Sequence, residues 1–120
     1  MGRHAITESE YEIMKILWKS EDSLSLGEIM GELGGKWARN TVGTLLARLT
    51  EKSVVGVKKH GKSNLYYSLL DENEYSMSET KSFLSKLYKG SIGNLVACLY
   101  ENKELSNEEI ENLRKIINGD

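Results

Sequence analysis

The sequence predicts a mainly α-helical protein carrying one small β-hairpin. Apolar residues recur at helical spacing in six separate stretches, and between the third and the fourth the period shortens to two. Proline is absent from all 120 residues, so φ locking imposes no sharp stop on any helix.

The first helix is expected to open at Thr7, where Thr7 and Glu10 have the spacing of a capping box, each side chain serving an orphan backbone amide. Ile13, Met14, Leu17 and Trp18 then follow the helical period, and polar residues 19–23 break it. Ser25 and Glu28 form a second box, opening a short helix through Ile29, Met30 and Leu33 that Gly34-Gly35 ends. A third helix starts near Arg39 or Asn40 and runs to Lys52. Val42, Leu45, Leu46 and Leu49 make its apolar stripe, while Thr41, Thr44 and Arg48 share a different face.

After Lys52 the pattern alternates. Val55 and Val57 alternate with Gly56 and Lys58, and Leu65, Tyr67 and Leu69 with Tyr66 and Ser68. The polar segment K-K-H-G-K-S-N between them is read as the turn, with Gly61 inside it. Three helices and then a hairpin is the order of a winged helix-turn-helix, the hairpin being the wing. Tyr66 and Tyr67 point to opposite faces of a regular strand, so one belongs to the core and the other contacts a partner or covers the wing. Trp18 is expected in the core. Trp37 either packs ahead of the third helix or lies near a phosphate.

From Asp71 onward the helical period returns in three stretches: Tyr75 to Tyr88, ending near Gly90; Ile92 to Leu99; and a segment opened by a third capping box, Ser106 with Glu109. Their stripes include Phe83, Leu84, Leu87, Leu95, Val96, Leu99, Leu113, Ile116 and Ile117. About 50 residues bury such stripes poorly alone, so a second copy is expected to cover them. The expected division is a winged-helix domain at 1–71 and a helical dimerisation domain at 72–120.

The formal net charge of −2 conceals a polarity. Residues 36–62 hold seven cations and a single acid, Glu51, whereas the segments on either side each sum to −4. A basic centre between acidic flanks is the footprint of a local phosphate-binding surface, and it coincides with the polar face of the third helix. Hydroxyls and a guanidinium are groups that read base edges in a DNA major groove, so Thr41, Thr44 and Arg48 are the base-reading candidates. Lys36 and Arg39 near the start of that helix, and Lys59, His60 and Lys62 at the wing, are the phosphate-binding candidates.

Catalysis and metal binding find little support. The two histidines, His4 and His60, stand at no recognisable spacing from a carboxylate or nucleophile, and no phosphate-binding loop or zinc motif occurs. Cys98 is the single cysteine; it reads as a small buried hydrophobe on an apolar helix, with a redox or metal switch as the alternative. No cofactor or metal is expected. No run approaches the roughly 18 apolar residues of a membrane span, and the first residues lack a signal-peptide apolar region, so a cytoplasmic protein is expected.

Four segments carry a family resemblance: I-T-E-S-E-Y-E-I-M-K-I-L-W (6–18), T-V-G-T-L-L-A-R-L-T-E-K (41–52), G-S-I-G-N-L-V (90–96) and L-S-N-E-E-I-E-N-L-R-K-I-I (105–117). Together they resemble the penicillinase repressors of the BlaI/MecI/CopY type over nearly the whole chain. That resemblance implies an N-terminal winged helix, a C-terminal dimerisation region, and repression by a homodimer on a dyad-symmetric double-stranded DNA operator. In the β-lactam-responsive branch it also implies derepression by proteolysis, coupled to a membrane sensor. This chain lacks the C-terminal Cys-x-Cys pairs of the copper-responsive branch, which sets it with the β-lactam branch. It carries Cys98-Leu99 where an Asn-Phe bond is typically cut. Lys62 replaces the usual wing arginine, keeping the charge without the bidentate fork and so suiting a phosphate. A winged-helix dimer serving as a protein-interaction module or anti-repressor is the alternative reading.

Overall fold

The computed structural model describes residues 5–119, so His4 lies outside the described residues. The elements run α1 (Glu8–Lys19), β1 (Leu24–Ser25), α2 (Leu26–Leu33), α3 (Arg39–Glu51), β2 (Val55–His60), β3 (Ser63–Ser68), α4 (Glu72–Tyr88), α5 (Ile92–Glu101) and α6 (Asn107–Asn118). The expected helices and wing are all present.

Local chemistry sets the helix starts. The Thr7 hydroxyl accepts from the Glu10 amide (3.1 Å) while the Glu10 carboxylate accepts from the Thr7 amide (3.0 Å). Ser25 with Glu28 and Ser106 with Glu109 repeat this exchange at α2 and α6. Losing such a cap costs about 1 kcal/mol. Gly34 ends α2 at φ 63°, a left-handed conformation that glycine adopts without penalty.

The core is built from the stripes the helical period marks. Ile13, Met14 and Leu17 of α1, Ile29 of α2 and all four of Val42, Leu45, Leu46 and Leu49 of α3 are buried together with Val54 and Val55. Each such side chain contributes on the order of 1.5–3 kcal/mol on burial.

The sheet differs from the expected hairpin in three respects. It has three strands in the order β1-β3-β2, because Leu24 and Ser25 pair antiparallel with Tyr66 and Leu65. The turn is also shorter than K-K-H-G-K-S-N. Lys58, Lys59 and His60 still pair with Leu65, Asn64 and Ser63, leaving only Gly61 and Lys62 at the tip. Gly61 takes φ 64°, the positive angle that a tight two-residue hairpin turn requires. Finally, the Val55–Val57 alternation does not mark a uniformly buried face. Val54 and Val55 are buried, but Val57 is exposed, because the wing extends beyond the helices at that point.

Trp18 closes this part of the molecule. It is partly buried against the core, and its indole N–H donates to the Leu70 carbonyl at 2.8 Å. Its ring centroid lies 6.0 Å from Tyr11 and 5.8 Å from Tyr75. The first compact unit therefore extends past residue 71 to Tyr75, and a second begins at Ser76. In the second unit Leu84 is already buried within the single chain, while Leu95, Val96, Leu99 and Leu113 are half-buried. Phe83, Leu87, Ile116 and Ile117 are exposed, the last two at 75% and 80%.

One ion pair ties α1 to α3. Glu10 is fully buried, and its Oε1 is hydrogen-bonded by the Lys52 ammonium, which also donates to the Ala5 carbonyl at 2.8 Å. Burial pushes the Glu10 carboxyl up, but the Lys52 hydrogen bond, the Thr7 contacts and the Lys52 charge outweigh it and hold the group below its ordinary 4.5. A carboxylate depressed on folding lends stability above its unfolded value, and that stability is lost as pH falls through the folded value. Lys52→Met should cost about 3 kcal/mol at pH 7 by leaving a buried charge unpaired, read as a lowered urea midpoint. The deficit should shrink on acidification as Glu10, without its ammonium partner and still buried, takes up a proton at a higher pH than in the wild type. An unchanged midpoint at pH 7 would show that the pair does not hold α3 in place.

Candidate nucleic-acid interface

The buried stripe of α3 fixes which of its side chains face outward. Thr41, Thr44 and Arg48 are all exposed, as are Asn40 and Ala47. The start of the helix is chemically unlike those of α1, α2 and α6. Ala38 stands at the N-cap position with no side-chain hydrogen bond, and the first turn holds no acid. Its first amides are thus left to whatever lies outside, and unpaired N–H groups at the positive end of a helix suit an anion. Arg39, exposed in that same turn, adds a full positive charge.

Cations close in sequence are separated by the fold. Lys52, counted in the basic segment, is taken up by Glu10. The Lys36 ammonium stands 3.7 Å from Glu12 and 5.0 Å from the centre of the Trp37 ring. Glu12 is held below the ordinary carboxylate value by the Lys15 hydrogen bond first, with Lys36 adding to it. Trp37 packs partly buried against the core, beside Lys36. Arg39, Arg48, Lys59 and Lys62 have no ion pair among the described residues.

The wing register splits its candidates. Lys58 and His60 lie on one face with Tyr67, whereas Lys59 lies on the other with Val57 and Tyr66, because successive strand residues alternate. Tyr66 packs against the core and Tyr67 covers the outer face. Lys62 occupies the tip. The Lys58 ammonium sits 6.0 Å above the Tyr67 ring, a contact that the sequence reading did not assign. Gly56 permits this arrangement: a Cβ there would fall 2.4 Å from the Tyr67 ring.

Among the described residues no group of three or more histidine, cysteine or acidic side chains is placed to hold a metal ion. No described helix is long and apolar enough to cross a membrane.

A three-helix core, an outward helix with an open basic start and a three-stranded wing define a winged helix-turn-helix protein. The chain belongs to the penicillinase repressor family, whose model matches residues 6–119. It is 36% identical over 117 residues to the methicillin resistance regulatory protein MecI of Staphylococcus aureus (strain N315), spanning 96% of this chain and 94% of that protein. The solution structure of the DNA-binding domain of the repressor BlaI resembles it at 33% identity and a TM-score of 0.53, over 58% of this chain and 87% of that domain. The Bacillus licheniformis BlaI monomeric form in complex with the blaP half-operator matches with the same identity and coverage at a TM-score of 0.50.

Gly56→Ala should drive the Tyr67 ring off the strand and release Lys58, destabilising the protein by on the order of 1 kcal/mol. The cost should vanish in a Tyr67→Ala background, where nothing opposes the added methyl. A double-mutant cycle of urea midpoints checks this, and full additivity would show that the Gly56–Tyr67 contact carries no energy.

Proposed function

We propose that the protein is a transcriptional repressor that binds a dyad-symmetric DNA operator as a homodimer. The observation that carries this is the outward face of α3, hydroxyl- and guanidinium-bearing, opposite a fully buried stripe and headed by an uncapped basic turn. In a helix-turn-helix the N-terminal residues of the second motif helix meet base edges in the major groove. Thr41, Thr44 and Arg48 read bases, Arg48 through two donors to a guanine. Arg39 and Lys36 meet phosphates beside the start of α3, Lys36 exchanging Glu12 for the phosphate. Lys59, His60 and Lys62 meet phosphates at the wing. The kinship with MecI and with BlaI, the latter seen on a half-operator, supports the same reading.

Dimerisation belongs to the region beyond the winged helix. Phe83, Leu87, Ile116 and Ile117 are left uncovered by the single chain, and Leu95, Val96, Leu99 and Leu113 are only half covered, while Leu84 is buried within its own chain. Derepression by proteolysis at Cys98-Leu99, coupled to a membrane sensor, completes the proposal. That bond lies inside α5, and the Cys98 carbonyl accepts from both the amide (3.1 Å) and the side-chain nitrogen (2.7 Å) of Asn102. A protease must therefore unwind the end of α5 before it can cut.

Lys62→Ala should weaken specific and random duplex binding alike and reduce the salt slope of log K by about one unit. Arg48→Ala should instead lower the ratio of specific to random binding, at a cost on the order of 1–3 kcal/mol. Titrations of both duplexes over a salt series distinguish the two; an unchanged ratio for Arg48→Ala would remove it from base reading.

A chain ending at residue 78, which keeps Tyr75 on Trp18, should sediment as a monomer. Its operator affinity should fall by roughly 10²–10⁴ through loss of the linked second half-site. A truncated chain that still dimerises would move the interface into the winged helix.

A further inference from the structure

The exposed face of α3 is broader than the residues so far assigned to it, and its centre lies elsewhere. Successive residues turn by about 100° around a helix. Val42, Leu45, Leu46 and Leu49, all buried, fix the inward direction. Measured from the line directly opposite, Asn40, Thr44, Ala47 and Glu51 fall within about 30°, Arg48 and Gly43 about 70° to either side, and Thr41 about 90° away. The outermost line of the helix is thus Asn40, Thr44, Ala47 and Glu51, with Arg48 reaching in from one shoulder. Gly43 leaves the other shoulder bare, with no atom within 4 Å of where its Cβ would stand.

Charge orders this line from end to end. Arg39 and the uncapped amides stand at its start and the carboxylate of Glu51 at its finish, so the N-terminal end is the one a polyanion accepts. Asn40 lies in that accepting portion, and Ala47 lies on the same line about 10 Å further along the axis at about 1.5 Å per residue, one turn before Glu51. That separation matches about three base-pair steps of about 3.4 Å each.

We propose that Asn40 and Ala47 also contribute to the operator specificity of this protein, Asn40 by pairing bidentately with the N6 and N7 edge of an adenine and Ala47 by methyl contact with a thymine roughly three steps away. The chemistry is the ordinary major-groove code. A carboxamide offers one donor and one acceptor to adenine alone among the bases, and a small apolar side chain favours the thymine methyl. Neither residue touches the core, so substitution there leaves the fold intact. This assignment rests on the DNA-binding reading above and adds to it two further positions that select sequence beside Thr41, Thr44 and Arg48.

Selection of bound duplexes from a randomised pool by the full-length chain tests it. The wild type should return a half-site with a fixed adenine and a fixed thymine about three steps apart. Asn40→Ala should lose the preference at the adenine position alone, by about five- to 150-fold, with its thermal midpoint unchanged. On the DNA side, replacing each thymine of the selected site in turn by deoxyuridine removes one methyl without altering the protein. A single position should then weaken wild-type binding several-fold. Unchanged base preferences for Asn40→Ala, or equal affinity for every deoxyuridine duplex, would overturn the assignment while leaving DNA binding intact. A wild type that returns no recurrent sequence would overturn both.

Discussion

One buried ion pair joins the end of α3 to the beginning of α1. Glu10 begins as the partner of Thr7 in a capping box, an arrangement usually found at the surface, yet here it is wholly enclosed. Only one of its oxygens is served by Lys52; the other is buried without a hydrogen-bond partner among the described residues. Enclosing a carboxylate this way is costly, and an apolar pair of equal volume is often as stable. What the ionic pair adds is position. Lys52 is the C-cap residue of α3, so the charge fixes the end of that helix against the beginning of α1, while the apolar stripe alone leaves sliding and rotation less constrained. A surface defined by which side chains lie on the outermost line of α3 requires that rotation to be unique.

The chain states its local structure plainly and its long-range pairings hardly at all. Capping boxes at Thr7, Ser25 and Ser106 are three-residue patterns whose partners are close in sequence, and each forms as written. The apolar stripe of α3 is equally local, and every member is buried. Strand β1 was not legible. Two residues have no periodicity, and their pairing is dictated by Tyr66 and Leu65, some forty residues away. The hairpin tip is shorter than polarity predicts for a related reason. Polarity marks solvent exposure, and Lys58, Lys59 and His60 are exposed while still holding a regular ladder.

The candidate site divides along the same line. That α3 presents a polar face could be read from its spacing, but which cations remain available could not. Lys36 and Lys52 lie in the same basic run as Arg39 and Arg48, yet the first two meet Glu12 and Glu10 of α1, residues 24 and 42 positions away. Tyr67 shows the limit on the wing: alternation predicted that one of two adjacent tyrosines would face outward, whereas the choice between them, and the platform that Tyr67 gives Lys58, follow from the bare backbone of Gly56 on the facing strand.

Ser25 is at once the last residue of β1 and the N-cap of α2, so the strand passes into the helix with no intervening loop. On the other side of the wing, β2 follows α3 after only three residues, whose course is fixed by the Val54 amide donating to the Leu49 carbonyl and by Ser53 at φ 65°. The wing is therefore clamped at two points, through β1 to one helix of the motif and through β2 to the other. There is no slack to take up strain between them. Covalent connection and strand pairing together thus set the spacing between the hairpin and α3.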